Sequence, residues 1–448
     1  MIRSLWYFLK VLVVIGIAVF LATQPGAVRI EWKEYVLTGH LGFLLVAILA
    51  IFLLTVAVSG LAFRITSWPR EFFRYRQNRR RTKGYQALIR SMVAAAAGDQ
   101  KNSYYLAHRA QKLLPPEESG IPLLLQAHAA KGEDESMTAY RALLGNAETA
   151  LLGMQGLMQK SILQGDFPAA LVLAREAVKS QPKSDALLRT VYDLEIKNHV
   201  WNDALHTLER ARAKGIVSKE EARKDRKVIF LILGDMARVA GRLEEAIDFY
   251  KKSVREDSLF VPAVSRLARH YLDQGSRFRA LYLIKKAWKA APHPEYLPIW
   301  DLLVPEAKAN QGATRYRWFE WILEFHSDYL EAVLALARVA VEEGLWGEAR
   351  SALMKAEKIR PSRSVYQTWI LLEEKTTNKP DVVRQWMDRA AHALPDGVWV
   401  CSKTGRKFPA WIPVVEPEGA FNSLVWIDRP PEETSLTEVA SWLKSAGT

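Results

Sequence analysis

Two long apolar stretches open the sequence. Leu41 to Phe63 contains 23 residues and no charged side chain, and as a helix it measures roughly 34 Å, enough to cross a bilayer. Leu5 to Thr23 is apolar except for Lys10, whose long side chain can reach the membrane interface. A cleaved signal peptide is the alternative interpretation of this earlier stretch. The pattern predicts two transmembrane helices within residues 1–63.

A short polar segment, Gln24 to His40, separates the two stretches. Pro25-Gly26 ends the first predicted helix. Apolar and charged residues then alternate loosely, which predicts a small extended turn at the far membrane face. The alternating apolar positions are Val28, Ile30, Trp32 and Tyr35.

A strongly basic segment, residues 64–83, follows the second stretch. It contains eight cations and a single acidic residue, Glu71. The cations are Arg64, Arg70, Arg74, Arg76, Arg79, Arg80, Arg81 and Lys83. The positive-inside rule places this segment, and therefore both termini, in the cytoplasm. Interleaved aromatic residues predict an interfacial helix on anionic membrane lipid. A nucleic-acid patch is the rival interpretation; it is disfavoured because the remaining chain is only mildly basic within a net charge of +13.

From Gly84 onward the chain repeats. A glycine is followed by a small residue after five positions, an apolar residue after four more, alanine after three and proline after five. The full copies are Gly98-Ser103-Ala107-Ala110-Pro115, Gly165-Ala170-Ala174-Ala177-Pro182, Gly275-Ala280-Ile284-Ala287-Pro292 and Gly344-Ala349-Leu353-Ala356-Pro361. Partial copies include Ala204-Leu208-Ala211 and Gly241-Ala246-Tyr250. The proline spacings indicate units of about 34 residues, with an insertion near Ser218 to Lys224.

This pattern resembles the tetratricopeptide repeat, in which each unit is a pair of antiparallel helices. Small residues allow the two helices to approach closely, and the proline ends the second helix. We expect about nine pairs over residues 84–395, with a poor match at Ile121 to Ala150 and Leu297 to Phe325. Stacked pairs bury a continuous core and form a groove. The predicted fold is therefore all-α, with two transmembrane helices followed by a repeat solenoid.

The tail differs from the repeats. Residues 396–431 are rich in Trp, Pro, Gly and Val and lack a helical period, which predicts a small β ribbon. Ser435 and Glu438 form a capping-box pattern that predicts a short helix within residues 432–448.

Sequence motifs for catalysis are missing. The chain has no phosphate-binding loop, dinucleotide glycine fingerprint, His-Glu-x-x-His helix or Gly-x-Ser-x-Gly elbow. His293 stands between two prolines, and this position favours a structural role at a helix boundary over a role as an iron ligand. Eleven of the fifteen tryptophans lie from Trp288 onward; packing between repeats is favoured over a ligand-binding groove. We expect no catalytic residues, no metal site and no cofactor, and the residues of any cofactor site stay unknown.

The whole arrangement resembles the HemY family of bacterial inner-membrane proteins. Supporting stretches are GYQALIR from Gly84, HRAQKLLP from His108 and AWKAAPHP from Ala287. The tail is similar to a family branch that ends in a rubredoxin-like ribbon with two Cys-x-x-Cys pairs. Here Trp399-Val400-Cys401 and Gly419-Ala420-Phe421 match, whereas Thr404, Val415 and Glu418 stand where partner cysteines would fall. One thiol cannot hold a tetrahedral metal, so we expect a metal-free ribbon held by aromatic packing alone.

The resemblance implies a function in the late, protoporphyrin-to-haem part of tetrapyrrole synthesis. It implies a multi-pass protein of the bacterial inner membrane that is a scaffold and not an enzyme, with the protoporphyrinogen-oxidase and ferrochelatase-step enzymes as protein partners. Two alternatives stay open. One is a repeat adaptor for envelope or lipopolysaccharide assembly, and the other is a carrier or enzyme that binds haem or porphyrin. Nucleic acid is not an expected partner.

Overall fold

The computed structural model describes residues 26–33, 35–306, 313–377 and 379–428, with the separate positions 15, 16, 19, 20 and 23. Within these residues, none of the helices combines the length and apolar character that crossing a membrane requires. The first predicted span, Leu5 to Thr23, lies largely outside the described residues. The predicted C-terminal helix at 432–448 lies wholly outside them.

The described chain begins with a β-hairpin. Strands β1 (Ala27–Trp32) and β2 (Tyr35–His40) pair antiparallel, with Trp32 opposite Tyr35. Lys33, in the two-residue turn, has a φ of 54°, as hairpin turns of this length require. The extended turn that the alternating pattern predicts is this hairpin.

Helix α1 (Leu41–Ala96) follows the hairpin directly and has 56 residues. It is roughly 84 Å long at 1.5 Å per residue. The sequence divides this stretch into an apolar segment, a basic segment and the first repeat, and the structure joins all three in one helix. Near its end, the Ser91 hydroxyl donates to the backbone oxygen of Ser103 at 2.8 Å, which fixes α1 against the next helix.

The helices after α1 form pairs, and the chain divides into two compact units, residues 1–153 and 154–448. The first unit contains α2 (Gln100–Leu113), α3 (Gly120–Ala129), α4 (Glu133–Leu143) and the start of α5 (Ala150–Leu163). The second continues with α6 (Phe167–Ser180), α7 (Asp185–Lys197), α8 (Trp201–Ala213), α9 (Lys219–Val239), α10 (Leu243–Glu256), α11 (Val261–Asp273), α12 (Arg277–Ala290), α13 (Leu297–Leu302), α14 (Thr314–Leu323), α15 (Leu330–Glu342), α16 (Trp346–Ile359), α17 (Arg363–Thr376) and α18 (Pro380–Ala391). Odd-numbered helices are the first helices of their pairs and even-numbered helices are the second.

The residues of the repeated pattern hold each pair together. The small and apolar pattern positions of α2, α6, α12 and α16 are all buried. The preceding glycines have φ between 70° and 77° and are Gly98, Gly165, Gly275 and Gly344. Such angles are easy for glycine and cost other residues energy because of their Cβ atom. The glycine therefore permits the turn and the small residues permit the close approach.

His199 occupies the glycine position of the pair α7–α8. It lies five residues before Ala204 and has a φ of 56°. Its ring packs 5.5 Å from that of Trp201, and histidine adopts a positive φ more often than most other residues with a side chain. The turn geometry is thus kept although the glycine is not.

The contact between α9 and α10 shows how close the helices of a pair come. A Cβ atom added to Gly234 would lie 2.5 Å from the ring of Tyr250. That ring is fully buried, and its hydroxyl donates to Asp235 Oδ1 at 2.8 Å, so it has little freedom to move.

The predicted insertion near Ser218 to Lys224 lengthens a first helix. Helix α9 has 21 residues, whereas the first helix of the next pair, α11, has 13. Ser218 and Glu221 form a capping box at its start, which satisfies two backbone amides that have no partner within the helix. The additional residues therefore add about two turns to the beginning of α9.

Large aromatic residues replace the small ones in the pair α13–α14. The rings of Trp300 and Trp318 stack 4.8 Å apart. Each indole N–H donates to the other residue's backbone oxygen, at 3.0 Å and 2.9 Å. Trp288 and Trp300 are fully buried. The sequence favoured packing between repeats for the tryptophans, whereas the contact of Trp300 with Trp318 lies within one pair.

Among the described residues after α18 there are five short strands, all within residues 396–428, which we call the ribbon. They are β3 (Val398–Cys401), β4 (Lys407–Phe408), β5 (Val414–Val415), β6 (Ala420–Phe421) and β7 (Leu424–Ile427). Strand β3 lies between β4 and β7 in an antiparallel sheet, and β5 pairs with β6. The prediction of a repeat fold with a small C-terminal sheet is confirmed.

The Gly234 contact predicts the effect of a single methyl group. Because the Tyr250 ring cannot yield freely, we expect Gly234→Ala to lower the free energy of unfolding by about 1–3 kcal/mol. Gly347→Ala is the control, since a Cβ there has no atom within 4 Å. Urea unfolding of the full chain, followed by circular dichroism at 222 nm, gives both values. Equal midpoints for the two variants would contradict the close-packing argument.

Candidate functional site: the first-helix face and its ribbon

The ribbon lies against helices of the second unit, chiefly the first helices α9 and α11 and the beginning of the second helix α8. Its buried side chains share one hydrophobic core with residues of α7 to α11. The Trp411 ring meets Phe260 edge-on at 5.3 Å, and Phe421 lies 5.9 Å from Trp201. The part of the repeat surface that carries these side chains is therefore covered by the chain's own tail.

Hydrogen bonds fix the position of the ribbon. Trp399 Nε1 donates to Glu295 Oε1 at 3.0 Å. Asn422 Nδ2 donates to the backbone oxygen of Lys224 at 3.1 Å and to Asp225 Oδ1 at 3.2 Å. Both acceptors lie in the additional turns of α9, so the insertion supplies part of the docking surface.

Burial shifts the pKa of the carboxyl groups at this contact. It raises the pKa of Asp225, although hydrogen bonds from Tyr192 and Asn422 lower it in part. It also raises the pKa of Glu295, and the hydrogen bond from Trp399 opposes this. Each carboxylate thus keeps donors directed at it, as a buried acceptor requires.

The far end of the ribbon is held by the last repeats. The Ser364 hydroxyl donates to Asp396 Oδ2 at 2.7 Å. The guanidinium of Arg360 donates to the backbone oxygen of Asp428 and lies 3.4 Å from Glu331 Oε1. The expectation that aromatic packing alone holds the ribbon is therefore wrong, because polar contacts with the repeats hold it at both ends.

His293 is buried where the ribbon meets the start of α13. Its Nδ1 accepts the backbone N–H of Glu295 at 3.2 Å, and its ring lies 4.5 Å from that of Trp426. Burial lowers the pKa of His293 to about 4, because a charged imidazolium would lose its hydration. The structure thus gives His293 the structural role at a helix boundary that the sequence favours.

Two recesses remain between the helices and the ribbon. The larger has a volume of about 740 Å³ and is lined by α11, by Arg238 and Glu295, and by ribbon residues 409–411. Within it, Arg266 Nε lies 2.8 Å from Asp235 Oδ2, so one of its cations is already paired. This lining suits a polar ligand or a peptide segment more than an apolar one.

The smaller recess, of about 460 Å³, lies over α13, α15 and α17, with Gly397 and Trp426 on its ribbon side. Arg315 bridges Asp301 and Glu342 there, each at 2.6 Å. Burial lowers the pKa of Arg338, which donates to the Thr368 hydroxyl at 3.4 Å. Acidic and basic groups thus alternate along this recess, which can accept a partner that carries both charges.

Cys401 is the position at which the resemblance implies a remnant of a cysteine pair. Its thiol is buried, with Sγ 3.3 Å from the Ser423 hydroxyl. Burial raises the pKa of the thiol, but hydrogen bonds with Ser423, Thr404 and backbone amides outweigh this and lower it. Val415, where the family branch has a cysteine, is buried, whereas Glu418 is exposed and lies 3.2 Å from Arg406. The positions that would complete a metal site hold side chains with other contacts.

The predicted membrane-surface cations all lie on α1. The side chains of Arg64 and Arg70 are outside the described residues, and those at Arg74, Arg76, Arg79, Arg80, Arg81 and Lys83 are exposed. Arg81 pairs with Glu118, which also accepts from the Tyr85 hydroxyl at 3.0 Å. Arg81 is thus engaged within the protein.

The docking of the ribbon is the feature that sequence reasoning missed. A signal for it was present, because a ribbon of about 33 residues cannot bury three tryptophans within itself. Trp399 and Trp411 are buried, and the repeats supply much of that burial.

The pKa of His293 predicts a pH dependence. In the unfolded chain His293 is protonated below its ordinary pKa of 6.5, whereas in the folded chain it is protonated only below a pKa of about 4. The contribution of His293 to the free energy of unfolding is therefore fully present above pH 6.5. It falls by up to about 3 kcal/mol as the pH drops toward 4. We expect His293→Gln to flatten this part of the profile, measured from urea midpoints by tryptophan fluorescence between pH 7 and 4.5.

Glu295→Gln is the matched control. Because burial raises the pKa of Glu295, its contribution opposes that of His293 and is lost as the pH rises. This variant should therefore steepen the loss of stability in acid. A wild-type profile that His293→Gln leaves unchanged would contradict the assignment.

One protein sequence and two solved structures are similar to this chain. A Magnetospirillum gryphiswaldense protein named "Probable magnetosome protein Mms48" is 21% identical over 439 residues, which cover 97% of this chain and 95% of that protein. The crystal structure of MamA is 20% identical over 38% of this chain and 91% of that one, with a TM-score of 0.24. YrrB, described as a tetratricopeptide-repeat protein with an unusual peptide-binding site, is 18% identical over 40% and 90%, with a TM-score of 0.23.

A family match covers the hairpin, α1 and the first repeats. Residues 26–134 match the family described as HemY protein N-terminus. This range begins just before β1 and ends within α4. The resemblance to the HemY family that the sequence predicts is thus confirmed over residues 26–134.

Proposed function

We propose that the protein is a membrane-anchored, non-enzymatic repeat scaffold that organises the enzymes of late haem synthesis at the bacterial inner membrane. The observation that carries this proposal is the HemY match, whose residues 26–134 include the hairpin, α1 and the first repeats. Helix pairs bind other proteins through the surfaces that stacking creates. The absence of catalytic motifs from the sequence supports a scaffold over an enzyme.

Exposed apolar side chains support the anchor. The described side chains at the start of α1 include Phe43, 80% exposed, and Leu54, 65% exposed. A helix that is apolar all round is stable in lipid and not in water. The apolar sequence also continues to Phe63, beyond the last described side chain of this stretch. We therefore propose that α1 lies in the bilayer up to about residue 63. The proposed second span is the apolar sequence Leu5 to Thr23, which lies largely outside the described residues.

The basic segment supports the orientation. Residues 64–83 follow the proposed span, and their excess of arginine favours the cytoplasmic side. The exposed cations between Arg74 and Lys83 suit contact with anionic headgroups. Both termini and the repeats are then cytoplasmic, which is the side where enzymes of the protoporphyrinogen-oxidase and ferrochelatase steps can be held beside the bilayer.

Crosslinking in intact membranes tests the proposed partners. With the tagged full chain as bait, we expect enzymes of the oxidase and ferrochelatase steps among the crosslinked proteins. A tagged chain that ends after the basic segment, at Lys83, is the control for proteins that are merely close in the membrane. Recovery of envelope-assembly proteins instead would support the alternative adaptor function, and recovery of neither class would refute the proposal.

The covered face predicts how partner binding responds to the ribbon. Trp411→Ala with Asn422→Ala removes the packing of Trp411 on Phe260 and the two hydrogen bonds of Asn422. If partners use the first-helix face of the second unit, we expect crosslinking to them to increase several-fold. Lys375→Ala, at an exposed position, is the control and should change nothing. Unchanged crosslinking in the double variant would place partner binding on another surface.

A further inference from the structure

The outer stripe of helix α12 is unusual for a surface in water. Phe278 is 88% exposed and Tyr282 is 70% exposed, and their spacing of four residues places them on one side of the helix. Lys286 and Lys289 continue the same stripe and are exposed. The opposite side is buried in the repeat core through Ala280, Ile284, Ala287 and Trp288. We call the residues Phe278, Arg279, Tyr282, Lys286 and Lys289 the α12 outer face.

Helix α12 carries five cations and no carboxylate in its 14 residues. Across the part of the chain that the structure describes, none of the five forms an ion pair with a carboxylate. Arg277 instead donates to the backbone oxygens of Leu303 and Val304. Lys285 lies 4.4 Å from the centre of the Trp321 ring, and Lys289 lies 4.5 Å from that of Phe325. The positive charge of this helix is left without a negative counterpart.

Neighbouring second helices differ in this respect. Helix α10 contains Glu244 and Glu245 in its first turn, and its Lys252 lies 2.7 Å from Asp248. In α16, Glu357 lies 3.7 Å from Arg389. These surfaces balance their charges as ordinary solvated helices do. The α12 outer face therefore differs from equivalent faces of the same fold.

An anionic lipid surface can bind both the exposed aromatic rings and the cations of the α12 outer face. Aromatic rings settle at the boundary between headgroups and acyl chains, and lysine and arginine bind the lipid phosphates beside them. We propose that the α12 outer face docks the second unit onto an anionic membrane surface. This contact is separate from the segment at residues 64–83 and does not depend on the span in α1.

A fluorophore at the end of α12 tests the proposal. Ala290, exposed and next to Lys289, is replaced as Ala290→Cys and labelled with a polarity-sensitive dye. Cys401 is buried, and the wild-type chain treated with the dye gives the background. The full chain is reconstituted into vesicles of phosphatidylcholine alone or with 30% phosphatidylglycerol. We expect a blue-shifted emission and quenching by brominated lipid only in the anionic vesicles, weakened by salt.

Charge reversal provides the matched variants. Lys286→Glu with Lys289→Glu should abolish the shift, whereas Lys355→Glu with Lys358→Glu, an equal change on α16, should keep it. Identical emission in the two vesicle types would overturn the proposal. A shift that native membranes produce but protein-free anionic vesicles do not would assign the face to an acidic protein, and would also overturn it.

Failure of the anchor is a separate result. If neither of the two proposed spans within residues 1–63 crosses the bilayer, the chain will not float with phosphatidylcholine vesicles in a density gradient. If only the docking fails, the chain will float and the emission will not change. The two proposals can therefore be judged from the same preparation.

Discussion

The close approach of two helices within each pair is the constraint on which the structure depends. Alanine or serine at the pattern positions leaves room for the partner helix, as Ser103, Ala107 and Ala110 do in α2. At Gly234 even a methyl group would meet the Tyr250 ring. Because each pair is this tight, its apolar side chains are shared with its neighbours. In the second unit, helices α7 to α11 form one hydrophobic core, and the ribbon packs into that core.

The ribbon changes what the repeats can offer to a partner. A tail joined to the repeats by the chain itself acts at an effective concentration in the millimolar range for short linkers. A partner for the same face therefore has to bind more tightly than an isolated groove would demand. The additional turns of α9 suit this arrangement, because Lys224 and Asp225 accept hydrogen bonds from Asn422.

Local spacing was sufficient to predict the repeats. Pattern residues such as Ala170 and Ala280 are fully buried, because their positions follow from helix geometry alone. The match was poor at residues 297–325 for a physical reason, since Trp300 and Trp318 fill that pair with stacked rings in place of small residues. Ribbon docking was not predictable in this way. It joins residues such as Lys224 and Asn422, which are 198 positions apart, and no local period records such a contact.

The length of helix α1 fixes the distance and the rotation between the hairpin and the first repeat pair. Because it continues from Leu41 to Ala96 without interruption, every residue in it contributes about 1.5 Å of height and about 100° of rotation. Changes of length in its middle are therefore coupled to orientation. Two extra residues would turn the first pair to the opposite side, whereas seven would lift it by about 10 Å and nearly restore its facing. The number of residues in this one continuous helix, and not a flexible linker, therefore sets the height and the rotation of the first repeat pair relative to the hairpin.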